Sequence, residues 1–130
     1  MRFKLRYVIL LVVVLATVVA VPLVQKAIRF SREIEGIVVG DVDLSQVADG
    51  VHRGTCDVGI VVATVDVTVA DGAITAINIV RHDNGKGAPA ESIVATVLTK
   101  QSLDVNVIAG ATYSSRVILK AIENALRGAA

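Results

Sequence analysis

"ATVDVTVADGAITAINIVRH", Ala63 to His82, holds two apolar runs on either side of an Asp-Gly pair. Val65, Val67 and Val69 alternate with Thr64, Asp66 and Thr68, the two-residue period of a strand with one buried face. Asp71-Gly72 is a strong short signal for a hairpin turn. Ile74, Ile77 and Ile79 return on the other side, with a break in phase around Ala76 that marks a bulge. This is antiparallel sheet.

Working outward, "GVHRGTCDVG" (Gly50 to Gly59) reads as a preceding strand with polar and glycine positions interleaved. Before it, "IVVGDVDLSQVADG" (Ile37 to Gly50) is a short apolar piece followed by an acidic, turn-rich connector. After the hairpin, "HDNGKGAP" (His82 to Pro89) is a loop by composition. Pro89 suits the first turn of a helix, and Ile93, Val94, Val97 and Leu98 give that helix one apolar stripe. "QSLDVNVIAG" (Gln101 to Gly110) runs extended into a last helix. The core face of that helix is Val117, Ile118, Ala121, Ile122, Ala125 and Leu126, and Gly128 stops it. Arg116, Lys120, Glu123 and Arg127 read as its wet face.

The N-terminal part is of another kind. "YVILLVVVLATVVAVPLV" (Tyr7 to Val24) is an uncharged apolar run long enough to cross a bilayer as a helix. Arg2, Lys4 and Arg6 precede it and Lys26, Arg29 and Arg32 follow, so the flanks alone give no orientation. A signal peptide shares this pattern, with Val18 and Ala20 as a weak cleavage site, but the run is longer than a signal core and contains Pro22. An uncleaved anchor is the preferred reading. "QKAIRFSREIEG" (Gln25 to Gly36) reads as its helical stalk. The expected organisation is a membrane anchor and stalk over residues 1–35 and one domain over 36–130. The fold class is α+β, a small antiparallel sheet with two packing helices, preceded by one N-terminal transmembrane helix.

From Gly36 onward, seven basic and ten acidic side chains leave a charge of −3, although the whole chain carries +1. A mildly acidic domain without a basic patch argues against nucleic acid as a partner. Cys56 is the only cysteine, which excludes an intramolecular disulfide and a cysteine metal cluster. It lies in a strand-like stretch and reads as buried and inert. His52 and His82 are far apart without carboxylates at ligand spacing, so no metal site is expected.

The start of the last helix, "VIAGATYSS" (Val107 to Ser115), is richer in hydroxyls than a cap requires. A helix N-terminus presents unpaired amides and about half a positive charge, a natural phosphate seat. Gly110 and Ala111 allow close approach to the backbone, and Thr112, Ser114 and Ser115 add donors. Read from the residues alone, an anion site and an ordinary serine-rich helix start both remain open. Tyr113, His52 and His82 are the rings available to a stacked ligand, and Lys86 in "NGKG" reads from the residues alone as an exposed lysine on a glycine turn.

"GATYSS" behind "QSLDVNVI" resembles the signature of the FMN-binding domain family, found in the C and G subunits of sodium-pumping and Rnf-type oxidoreductases and in small membrane-anchored proteins. "ADGVHRGTCDVG" is similar to that family's opening strand and "VDVTVADGAITAINIV" to its hairpin. "HDNGKGAPAESIVATVLTKQSLDVNVIAGATYSS" is similar to its loop, helix and flavin motif, so the likeness runs from about Asp49 to Leu126. The resemblance implies FMN as cofactor, with a binding set of Gly110, Ala111, Thr112, Tyr113, Ser114, Ser115, Lys86 and His82. Thr112 matches the threonine that can carry FMN through a phosphoester made by a flavin transferase. It also implies electron transfer, with a redox partner protein or a membrane quinone, from a domain expected on the extracytoplasmic side of a single-pass anchor. Two positions depart from the motif: Asn106 stands where the family has Asp, and Ala109 where it has Ser or Thr. They keep open a second function, a degenerate non-redox module that binds a partner without flavin.

Overall fold

The computed structural model describes residues 2–83 and 88–128, with the backbone alone for residues 2, 3, 30, 31, 33, 34 and 88. The chain forms two compact units, residues 1–32 and 33–130. The first is built on helix α1 (Arg2–Glu35). Its segment Lys4–Arg29 is long and apolar enough to cross a membrane, and none of it is buried against protein. Thr17, a polar residue in the apolar run, donates its hydroxyl to the Val14 carbonyl at 2.8 Å. That bond satisfies a hydroxyl that hydrocarbon would penalise.

The second unit is a three-stranded antiparallel sheet with two helices packed against it. Strands β1 (Gly50–Asp57), β2 (Val62–Ala70) and β3 (Ala73–Asp83) follow one another in sheet order. The β2–β3 turn is the predicted one: Asp71 and Gly72 take φ of 52° and 73°, the paired left-handed geometry that matches strand twist. Val65, Val67 and Val69 are at most 1% exposed, as their alternation predicts.

The return strand holds two register shifts, not one. Val69 pairs with Ile74, Val67 with Ile77, Val65 with Ile79 and Ala63 with His82. Thr75 and Val80 are therefore extra residues. Each bulge restores the phase, so that positions spaced by three, two and three residues share the inner face. The irregularity near Ala76 was legible in the sequence, while the second, at Val80, was not.

Helix α2 (Ile93–Lys100) is preceded by a 3₁₀ turn at Ala88–Ser92 and packs against β3. Ile93 and Val97 are fully buried on its stripe. It ends at Gln101, whose φ of 53° gives a left-handed cap usually taken by glycine. The side chain of Gln101 explains the exception. Its Oε1 accepts from the Ile74 amide at 2.7 Å, and its Nε2 donates to the carbonyls of Ile74 and Leu98, each at 2.8 Å.

Helix α3 (Thr112–Gly128) lies across β1 and β2. Its closest approach is at Gly54, where a Cβ would clash with the backbone of Ala121 and Ala125. Small residues on both sides let helix and strand touch through main chain. Glu123 is a correction to the expected wet face of this helix, since only 3% of it is exposed. The connector covers it: Gly40 donates its amide to Glu123 Oε2 at 3.2 Å, and Lys120 reaches the Val38 carbonyl at 3.1 Å. Lys120 and Arg127 also pair with the carboxylate, at 3.0 and 2.6 Å. Burial alone would raise the Glu123 pKa, but the hydrogen bonds from Lys120, Arg127 and Gly40 outweigh it and hold the carboxyl below its ordinary value. Cys56 is half-buried, and burial pushes its thiol up, in keeping with an unreactive side chain.

Candidate functional site

Helix α3 opens without a side-chain cap. The Ser115 amide donates to the Ala111 carbonyl at 2.9 Å, the first bond of the helical ladder, which makes Ala111 the cap residue. Alanine offers no oxygen to the first turn. Among the described residues, no hydrogen bond reaches the amides of Thr112 and Ser114. The abundance of hydroxyls in the sequence thus conceals a helix start that is under-capped.

The loop in front is held rigidly. Ser115, fully buried, donates its hydroxyl to the Ala111 carbonyl at 2.7 Å and accepts from the Ile108 amide at 3.0 Å. The Ala111 amide closes back on the Ile108 carbonyl at 3.0 Å. Gly110 sits at the crest of this turn with φ of 78°, a conformation that favours glycine. A methyl group placed on it would meet nothing within 4 Å, so the approach to the helix start is open.

The anticipated site residues divide in two. Gly110, Ala111 and Thr112 form the opening, with Thr112 half-buried and Tyr113 beside it 45% exposed. Ser114, 3% exposed, and Ser115 face the interior, and the Ser115 hydroxyl is occupied in closing the loop. His82 stands on the inner face of the sheet opposite Ala63, its side chain 1% exposed and its Nδ1 3.2 Å from Glu91 Oε1. Glu91 belongs to the 3₁₀ turn that packs against α3. Lys86 lies outside the described residues. His52 is engaged elsewhere, its Nε2 2.7 Å from the Ala48 carbonyl.

Sequence reasoning missed Arg116. It stands four residues after Thr112, one helical turn on and on the same face. It also lines a cleft of about 550 Å³, walled by Val38, Val39, Leu103, Val105 and Val107. At the rim, Asp41 accepts from Ser102 Oγ at 2.7 Å and from the Leu103 amide at 3.2 Å, and these bonds lower its pKa. The signal for Arg116 was its spacing from Thr112, but the cleft depends on a connector more than sixty residues away in sequence.

Residues 61–127, just over half of the chain, match the FMN-binding domain family. No curated protein and no solved structure matches the chain significantly. The residues present fit the phosphate end of FMN: amides of Thr112 and Ser114 that no hydrogen bond among the described residues reaches, a hydroxyl on Thr112, and a glycine crest that leaves room for an anion. The under-capped helix falls inside the matched segment, and the chain belongs to the FMN-binding domain family, with FMN as its cofactor.

Proposed function

We infer that the protein is a membrane-anchored flavin electron carrier whose FMN phosphate rests on the Gly110–Thr112 turn. The observation that carries this reading is the alanine-capped start of α3, where the Thr112 and Ser114 amides lack partners among the described residues and a left-handed glycine borders open space. When bound, FMN supplies the capacity to take up and pass on one or two electrons. The chain contributes position: the Thr112 and Ser114 amides and the Thr112 hydroxyl orient the phosphate, and the Ser115 bonds keep the turn rigid. The apolar helix Lys4–Arg29 would hold this site close to a membrane quinone or a partner reductase.

Thr112 is also the hydroxyl that a flavin transferase would esterify. There Thr112 Oγ1 would take the flavin phosphorus from an activated flavin diphosphate. The second phosphate would leave with its own substituent, and the hydroxyl proton would pass to a base of the transferase. Asn106 and Ala109 are both exposed on the loop before α3, where such an enzyme would read them. Replacing the family's Asp and Ser or Thr there removes a charge and a hydroxyl, which favours non-covalent binding in this chain.

The test is titration of the full-length protein in detergent with FMN and with riboflavin, followed by flavin fluorescence. Preference for FMN, reduced in Thr112→Ala, supports the phosphate seat, and equal affinity for the two flavins removes it. Co-expression with a flavin transferase and in-gel fluorescence under denaturing conditions then separates ester from complex. A band appearing only in the Asn106→Asp, Ala109→Ser double variant places the barrier in recognition. A chain that binds no flavin in any of these forms is the non-redox module to which Asn106 and Ala109 point.

A further inference from the structure

The cleft beside α3 is not explained by phosphate binding, and part of its wall lies outside the segment that matches the family. Val38 and Val39 belong to the connector before the sheet, while Val105, Val107 and Arg116 come from the matched residues. We propose that this cleft receives the isoalloxazine ring of FMN and that Arg116 stands at the ring's pyrimidine edge, favouring the reduced flavin. The proposal rests on the phosphate seat inferred above.

Three observations converge on it. The first is alignment: Thr112, Arg116 and Leu119 follow one another at intervals of four and three residues on one face of α3, and the last two line the cleft. At about 1.5 Å per residue, Arg116 lies about 6 Å and Leu119 about 10 Å along the helix from Thr112. A ring joined to its phosphate by a five-carbon chain spans such a distance. The second is size and lining, since a cleft of about 550 Å³ that joins valine and leucine walls to the polar side chains of Glu35, Asp41, Asp104 and Arg116 suits a flat ring with one apolar and one polar end.

The third observation is charge. Among the described residues after Gly36, every other cation has a partner: Arg53 has Asp66, Arg81 has Asp83, Lys100 has the Asp104 carbonyl, and Lys120 and Arg127 have Glu123. Arg116 alone among them has neither carboxylate nor carbonyl. Two-electron reduction leaves negative charge at the pyrimidine edge, which lies on the side of the ring that bears the ribityl chain. A guanidinium one turn beyond the phosphate seat meets that edge. Glu35, Asp41 and Asp104 also line the cleft, and Arg116 is the one cation among its described lining residues.

The experiment uses full-length protein in detergent and reads flavin affinity and midpoint potential rather than turnover. Arg116→Gln is expected to weaken binding of reduced FMN about tenfold more than of oxidised FMN, lowering the two-electron midpoint by about 30 mV. Arg116→Lys should restore most of the shift. Val107→Asp, on the rim and 37% exposed, is expected to weaken FMN and riboflavin by the same factor, about tenfold or more, because both flavins carry the ring. Thr112→Ala should weaken FMN alone. If Val107→Asp leaves both affinities unchanged, or Arg116→Gln weakens FMN without riboflavin and without moving the potential, the ring lies elsewhere. The phosphate seat would survive that result.

Discussion

Single residues decide how closely this domain packs. At Gly54 the main chains of β1 and α3 meet, so any side chain must push the helix off the sheet. Gly54→Ala is expected to cost about 3 kcal/mol, the upper range for overpacking, as read from urea unfolding. Glu123 tests the electrostatics. Its pKa is held below the ordinary value, so its stabilisation is complete above about 4.3 and is lost as pH falls through the lower folded value. Unfolding of the wild type should therefore show a steep loss of stability with acid below about pH 4.5. Glu123→Gln should be destabilised by about 1–2 kcal/mol at pH 7 and show a flatter acid dependence, since it removes the buried charge while Lys120 and Arg127 stay partly solvated. The sequence shows Glu123 on a polar stripe with Lys120 and Arg127 and gives no hint that it is buried. What covers it is the Val38–Gly40 connector, a contact over some eighty residues that local periodicity cannot carry.

At the scale of elements, what was legible follows from what is local. The hairpin could be read because alternation and an Asp-Gly turn act within a few residues. The helices could be read because their apolar stripes repeat within a turn. The second bulge, at Val80, could not, because only pairing with β2 shows which residue is extra. The start of α3 was legible as a place but not in detail: the sequence is rich in hydroxyls there, while the cap position belongs to Ala111. This separates two hydroxyls three residues apart. Ser115→Ala removes a buried bridge between the Ile108 amide and the Ala111 carbonyl and is expected to lower stability by about 1–3 kcal/mol. Thr112→Ala should change stability by less than about 0.5 kcal/mol, because its hydroxyl joins no such network. Thermal unfolding of the two variants without flavin checks the contrast, and equal losses would mean that Thr112 also supports the fold.

For the whole molecule, the division between an exposed apolar helix and a domain of ordinary polarity predicts how the protein partitions. Full-length protein should sediment with membranes through a high-salt wash and be released by detergent, with its N-terminus intact. Recovery in the aqueous phase, or a mature chain starting near Val21, would replace the anchor by a cleaved signal. One further consequence follows from Tyr113, exposed next to the site in a domain without tryptophan or phenylalanine. Beyond the domain, the only tyrosine is Tyr7, in the membrane helix. Tyr7→Phe therefore yields a protein with a single phenol, at the mouth of the flavin site. Its ultraviolet emission then reports on that one position without an added label, and bound FMN should dim the emission by energy transfer as the site fills.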